Sequence, residues 1–501
     1  MELLIEGVVY EVIYPFSEAI RNNIERTYTF AYAKGAHNYS GAPDDYNPIS
    51  FFHECLEKEP FDTFMELERF GFKKTLKTLN RYGIPYTSEQ EYKAKVYYDV
   101  TKQMSKERSD SIHRYIEGDI SKTGIVQLTD NYLLTTQATL NVSNFIKGLP
   151  KNKQTDNFIY KNKIGDLLLD SKEQMNALET SLKYQVSCVI GRAGTGKSYV
   201  TAEIVNQLRL NDLGVAILAP THKAKAALQE KLIGGQVQTI HSFVHRPFDC
   251  DVIVIDESGM LSTPLFNQLV RVYEGQQLIF IGDKNQLPPV EYGRPFELIQ
   301  ELFTVSELKQ NKRSEARDII SLGNQILGIP QNANMEAENI HIAKSAQEAH
   351  EMGAEVILTF TNKNVKAINE QRRLKHGADS LYAGFKIGER IIAKTNYKNK
   401  FYNGQLFQVV GFNTIQDIQT KRVITLQSSK ELEYNFDYAY ALTIHKSQGS
   451  EWDVVGYLPS EYDTMNLAYV AVTRAKKKLI IINGLNETYR QDTRWRQLNE
   501  S

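Results

Sequence analysis

Val186-Ser-Cys-Val-Ile-Gly191-Arg192-Ala193-Gly194-Thr195-Gly196-Lys197-Ser198-Tyr199 decides how this chain folds. A short apolar run reads as a buried strand. Glycine at 191, 194 and 196 makes the next turn. Lys197-Ser198 then opens a helix. The loop fits G-x-x-x-x-G-K-[ST] in full. Glycines let the backbone curl so that successive N–H groups point inward at phosphates. The helix adds its positive N-terminal end. Residues 191–199 are therefore expected to cradle ATP. Lys197 reaches the β- and γ-phosphates, and Ser198 holds Mg²⁺.

A second strand completes such a site. Val252-Ile-Val-Ile255 is apolar and ends in Asp256 and Glu257. Two acids at the end of a buried strand are costly unless used. Asp256 is expected to bind Mg²⁺, and Glu257 to orient and polarise the attacking water. Upstream, Ser171-Lys-Glu-Gln174 carries two readings. Gln174 either completes a helix capping box or contacts the adenine edge.

From about residue 170 onward, apolar runs alternate with helical stretches: 186–190, 215–218, 252–255, 278–281, 356–360 and 479–482. Strands apolar throughout and separated by helices indicate parallel sheets covered on both faces. Runs at 391–393, 406–410 and 423–426, split by turns such as Asn403-Gly404, read as a β-rich module set into the second half. Residues 1–150 are rich in Tyr, Phe and Lys. Within them, 61–80 has helix-like spacing (Phe64, Met65, Leu67, Phe70, Leu76, Leu79), interrupted by Gly71, and 124–134 alternates like a hairpin. The polar stretch after Pro150 reads as a linker.

Bulk numbers set the outer limits. A 501-residue chain is longer than one core usually covers, so about two to four domains are expected. Apolar residues are 42% and charged residues 24% of the chain, which is ordinary for a globular protein. No apolar run reaches the ~18 residues of a membrane span, and the acidic start does not read as a signal peptide. Cys55, Cys188 and Cys250 are far apart, with no metal-ligand spacing, and read as inert thiols in a reducing cytoplasm. The formal net charge of −1 does not announce a nucleic-acid binder; a local basic groove is what a motor on such a track needs.

The full motif set resembles the superfamily 1 helicases, in particular the RecD/Dda branch. It runs in family order through Ala219-Pro220-Thr221-His222-Lys223, Thr239-Ile-His241-Ser-Phe243, Gly282-Asp-Lys-Asn-Gln286-Leu-Pro-Pro-Val, residues 308–313, Thr359-Phe-Thr-Asn-Lys, Thr443-Ile-His445-Lys446-Ser-Gln-Gly-Ser-Glu451 and Leu467-Ala-Tyr-Val-Ala-Val-Thr-Arg474. The resemblance covers roughly residues 165–485. It implies an α/β fold with two RecA-like P-loop motor domains, a mixed α/β N-terminal domain and a small β-barrel-like insert. The expected boundaries are 1–150 for the N-terminal domain, 151–165 for the linker, 166–300 for the first motor, 301–383 with 438–501 for the second, and 384–437 for the insert.

By position, the resemblance assigns adenine contact to Gln174, γ-phosphate sensing to Gln286 and a place near the ribose to Glu451. Arg313 and Arg474 would arrive from the second motor as arginine fingers. Pro220, Thr221, His222, Lys223, Thr239, His241, Thr443, His445 and Lys446 would contact the DNA backbone. Phe243 either stacks on a base or belongs to the core. Tyr292 and Phe296 carry no assigned role. A metal site from His222, His241 and His445 is not expected, nor a nuclease from Glu117, Asp119 and Lys122.

One departure stands out. The branch normally carries a strand-splitting β-hairpin after the Thr239 motif, yet only residues 244–251 separate Phe243 from the next apolar run. The expected activity is ATP-driven movement on single-stranded DNA with unwinding of forked or tailed duplexes. Movement 5′→3′ follows from the branch. Replication or recombination proteins are the expected partners, and a cytoplasmic monomer the expected form. An RNA helicase, or a remodeller of protein–DNA complexes that separates no strands, are the other readings.

Overall fold

The protein is described by a computed structural model covering residues 2–5, 8–11, 56, 60–61, 71–116, 118–121, 123–129, 132–155, 169, 171–230, 232, 236–311, 316–329, 337–375, 385–395, 397 and 400–484. A short antiparallel pair, β1 (Glu2–Ile5) and β2 (Val8–Glu11), opens the chain. Within the stretch 61–80 expected to be helical, the structure describes the helix Phe72–Tyr82, with Gly71 as its N-cap. Phe64, Met65, Leu67 and Phe70 lie outside the described residues. The longer helix Ser88–Glu107 starts at a Thr87 capping box. The expected hairpin forms as β4 (Ile125–Thr129) and β5 (Leu133–Thr136), joined by β3 (Ile112–His113) in the order β3-β5-β4.

The nucleotide-loop run becomes β6 (Val186–Gly191). It is followed by β7 (Val215–Ala219), β8 (Val237–Thr239), β9 (Val252–Ile255), β10 (Gln277–Gly282) and β11 (Thr304–Leu308). Their order is β11-β6-β10-β9-β7-β8, and every pairing is parallel. β6, β9 and β10 are buried along their whole length. Successive side chains of a strand point to opposite faces, so Cys188 and Ile190 enter one core layer while Val189 enters the other. Each such buried aliphatic side chain contributes about 1.5–3 kcal/mol. Cys188 and Cys250 are buried free thiols. Burial pushes the Cys188 thiol far above its ordinary value and Cys250 up to about 11, so both stay protonated and unreactive. Cys55 lies outside the described residues.

The second half holds β12 (Ile340–Ala343) and β13 (Val356–Thr359), then β14 (Arg390–Ala393), β15 (Leu406–Gly411), β16 (Thr414–Asp417), β17 (Val423–Thr425) and β18 (Phe436–Tyr438). It closes with β19 (Ala441–Thr443), β20 (Trp452–Tyr457) and β21 (Ala475–Ile482). β12-β21-β20-β13-β19 form a second parallel sheet, while β17-β16-β15-β14-β18 form an antiparallel sheet of their own. That antiparallel sheet has a separate aromatic core of Phe385, Phe401, Phe407 and Phe436. Its Asn403-Gly404 turn is real: Gln405 N–H donates to Tyr402 O, and Gly404 has φ +86°. Only a residue free of Cβ takes that turn cheaply.

Candidate nucleotide and nucleic-acid site

In a parallel sheet the carboxyl ends of all strands share one edge, and ligands sit outside it. Along the first sheet that edge presents, in spatial order, the 191–198 loop, Asp283, Asp256, Thr221 and Thr239. Neighbouring strands are about 4.8 Å apart, so the glycine loop and the Thr239 turn lie about 20 Å apart. The chemistry thus falls mid-sheet, and the expected strand contacts fall at the β7–β8 margin.

The loop has the predicted form. Gly194 and Gly196 have φ +80° and +83°. A Cβ on Gly191 would meet Thr195 Oγ1 at 2.5 Å and Leu308 Cβ at 3.0 Å, so each glycine has a steric reason. The Lys197 ammonium donates to the carbonyls of Gly191 (2.6 Å) and Arg192 (3.1 Å). It is held within the loop where phosphates would lie. Asp256 is buried, and its backbone N–H donates to Leu218 O. Glu257 has φ +53°; a non-glycine residue held there stores about 1–3 kcal/mol of strain, as functional positions often do. Gln174 sits at the start of the helix Lys172–Lys183. Its N–H is capped by Ser171 Oγ, and its buried side chain reaches the loop at Thr195 O, 3.5 Å away. Tyr199 is exposed.

The second half meets this edge through the helix Met465–Thr473. The Tyr469 hydroxyl accepts from Ala193 N–H at 2.9 Å and donates to Asp283 Oδ2 at 3.0 Å. Asn466 Nδ2 donates to Asn285 O at 2.8 Å, beside Gln286. Gln286 is buried, and among the described residues its Oε1 has no hydrogen-bond partner. Arg192 reaches across to Asn324 Oδ1 at 2.7 Å. Lys223 donates to Lys446 O and lies over the Trp452 ring. His222 stacks on Tyr402 of the antiparallel sheet at 3.8 Å.

Several expected residues are placed differently from their assigned roles. Phe243 is a core residue: it is 1% exposed and packs edge-on to Phe248. Base stacking is excluded for it because no face of the ring is open. Lys223 and His222 are seam residues, tied to the second half. Burial, with the nearby Lys225, pushes His222 down to about 4, so it is neutral at pH 7. Burial, with Arg474 and Lys446 beside it, pushes Lys223 down to about 7. Arg474 is buried and bonds Val470 O and Ser450 O; Arg313 lies outside the described residues. Glu451 is exposed between Ser450 and Trp452, the two residues whose backbones hold Arg474. Tyr292 and Phe296 are both buried, Tyr292 bonding Thr136 of the N-terminal region. Among the described residues no group of three His, Cys, Asp or Glu could hold a metal. The 246–251 connection holds no strand, so the expected gap where the family hairpin would sit is real.

Thr221, Thr239 and Thr443 are helix N-caps, their hydroxyls accepting from Ala224, Ser242 and Lys446 N–H. Thr361, not singled out from sequence, does the same for Asn364 N–H. The signal was present: Phe360-Thr-Asn-Lys parallels Pro220-Thr-His-Lys. Tyr469 was also missed, although a phenol within the otherwise apolar run 467–472 marks it. Glu173 is a third omission. Its carboxylate accepts from Lys309 and Gln310 N–H, 2.8 and 2.9 Å away, and so holds the segment that leads to Arg313.

Thr443, His445 and Lys446 line a cavity of about 470 Å³ together with Phe360 and Asn362 of the second half and Pro288, Pro289 and Val290 of the first. Among the described residues no helix is long and apolar enough to cross a membrane.

Comparison with known proteins agrees with this layout. Residues 170–341 match the AAA domain family and residues 438–482 the UvrD-like helicase C-terminal domain. The ATP-dependent RecD2 DNA helicase of Deinococcus radiodurans is 28% identical over 352 residues, covering 62% of this chain and 48% of that protein. The ATP-dependent DNA helicase dda of Enterobacteria phage T4 is 26% identical over 299 residues, covering 49% and 67%. A solved Pif1 helicase from Candida albicans is 20% identical, covers 66% of this chain and 98% of that one, and has a TM-score of 0.44. The chain spans about half the length, or less, of several curated relatives it matches. With its motifs in order across both matched segments, the chain is similar to superfamily 1 helicases of the RecD/Dda type.

Proposed function

We propose that this protein couples ATP hydrolysis to movement along single-stranded DNA and to opening of forked or tailed duplexes. The observation that carries the reading is the seam. Tyr469, from the second half, touches both the nucleotide loop at Ala193 and Asp283 beside Gln286. A phosphate entering the loop must therefore disturb the contact between the halves, and a change there reaches Thr443, His445 and Lys446 in the groove. That is how closure converts hydrolysis into a step.

In this reading the two parallel sheets are RecA-like motors, the antiparallel sheet is the insert, and the N-terminal region is an accessory unit. Lys197 and the loop N–H groups bind phosphates, Gln174 meets the adenine, and Glu257 orients the water. Gln286, buried beside Asn466, senses the γ-phosphate through its side-chain N–H. Arg474 and Arg313 approach on closure. The buried Asp256 carboxylate and the Ser198 hydroxyl are the hard oxygen donors Mg²⁺ favours; when bound, the ion neutralises charge on the phosphates. The cytoplasm, a monomeric form, replication or recombination partners and 5′→3′ movement belong to the same proposal.

The test is unwinding of forked duplexes with only a 5′ or only a 3′ tail, run with ATPase. Opening of the 5′-tailed substrate is expected. Lys197→Ala should lower ATP turnover by about 100-fold or more while single-strand binding persists. Unchanged turnover in that variant would remove the loop from the mechanism. The absent hairpin at 246–251 favours a second reading, displacement of bound proteins without strand separation. It predicts DNA-stimulated ATPase with both duplexes left intact.

A further inference from the structure

We propose that the end of the helix Ser88–Glu107, continued by Arg108, forms a wall of the strand groove, and that Lys106 and Arg108 bind the phosphate backbone of single-stranded nucleic acid there. The inference rests on the reading of that groove as a strand track. It adds a contact from the N-terminal region, to which no motif assigns a role.

Geometry comes first. The cavity of about 470 Å³ is lined by Ser105, Lys106 and Arg108 as well as by Thr443, His445 and Lys446. Such a volume is within the ~300–1,000 Å³ that holds small ligand groups. Arg108 also borders a smaller cavity of about 70 Å³ that contains Asp283, Gln286 and Asn466. It therefore stands between the groove and the residues next to the nucleotide loop.

Electrostatics come second. Lys106, Arg108 and Lys446 line the groove together with His445, and among the described residues no acid does. Among the described residues neither Lys106, Arg108 nor Lys446 has an ion-pair partner. Burial and the neighbouring Arg294 pull the Arg108 guanidinium below its ordinary value, and Arg108 helps to pull His445 down. A part-buried guanidinium facing other cations raises the energy of the empty protein. A phosphate backbone relieves it. The apolar half of a strand site is also present: Phe360 lines the groove, and Val290 there is 81% exposed. Cations for the backbone beside apolar surfaces for bases are the usual single-strand combination.

A purely helical role explains less. A basic residue in the last turn favours the helix dipole, which accounts for Lys106. It does not account for the Arg108 side chain, which borders both cavities; the residue's φ of +55° is that of the left-handed cap ending the helix, where Ser109 N–H donates to Met104 O.

The test is fluorescence anisotropy of a labelled oligo-dT on the full chain over roughly 50–200 mM salt, where each phosphate that a cation neutralises on a single strand adds about 0.7 to the log–log salt slope. Lys106→Gln with Arg108→Gln should weaken binding about 10-fold and flatten the slope by about 1.4, the share of two phosphates. Arg108→Lys should restore most of the slope. Lys106→Gln alone, at an exposed position, gives about half the change and stands if the Arg108 variant fails to fold. A double variant that keeps wild-type affinity and slope overturns the proposal, as does one that only melts earlier. Lys446→Gln separates the two readings. If it weakens binding and the double variant does not, the track stands and the wall falls; if the wild type binds no oligonucleotide, both fall.

Discussion

Tyr469 is the residue at which the two halves are most directly joined. Burial beside Asp283 holds its phenol far above its ordinary value, so the O–H remains a donor at every working pH. Its oxygen satisfies a loop N–H that would otherwise be buried without a partner. Leaving such a group unpaired costs about 1–3 kcal/mol. Tyr469→Phe keeps the ring and removes that bond. The nucleotide-free variant should melt several degrees below wild type, and a saturating non-hydrolysable ATP analogue should shrink the gap, because phosphate takes over Ala193 N–H. An equal gap with and without nucleotide would make Tyr469 a packing residue only. At this scale Lys197, Asp256 and Glu257 were legible, because strand, turn and charge type occur together in a few residues. Tyr469 was not, since its partners are 276 and 186 residues away.

At the scale of elements, one device recurs: a buried strand ends, a threonine caps the next helix, and the turn faces the shared edge. Thr221 follows β7, Thr239 ends β8, Thr361 follows β13 and Thr443 ends β19. The same short helix that gave Thr239 its cap buried Phe243, because a six-residue helix packed on the sheet has one inward face. Lys223 sits in the first turn of the helix His222–Gln229 after β7 and gives the seam a pH dependence. Its pKa is about 7 in the folded chain, against an ordinary value of 10.5. The unfolded or opened chain therefore binds more protons between those values, and stability rises with pH there. The cost is fully present below about pH 7 and is relieved as pH climbs towards the ordinary lysine value. The melting temperature of wild type should rise from pH 7 to pH 9 relative to Lys223→Met. A constant difference across that range would place the ammonium in solvent.

At the scale of the whole molecule, the N-terminal region is not a loose attachment. Val142, Ile146 and Leu149 of the segment around the helix Gln137–Gly148 enter the same core layer as Cys188 and Ile255. Tyr292 enters the core of Val96, Val100 and Leu134 in return. Ile146 is fully buried, so Ile146→Ala should cost about 2–5 kcal/mol and lower the unfolding midpoint of the nucleotide-binding sheet with it. A sheet that unfolds at its wild-type midpoint while the N-terminal region melts early would show two independent units.

The order of the motifs, the strand runs and the glycine loop followed from local chemistry, so the two parallel sheets and the form of the 191–198 loop could be read from the chain. The boundary near residue 150 was drawn from a change in composition, but the helix before it shares a core with the sheet after it. Composition reports solvation of a segment, not the surface it packs against. Which cations face one another across the groove, which threonines share an edge and which phenyl ring is sealed are set by strand order. That order, β11-β6-β10-β9-β7-β8, differs from chain order. Periodicity assigns each residue to a strand and a face; only packing of whole elements decides which strands become neighbours.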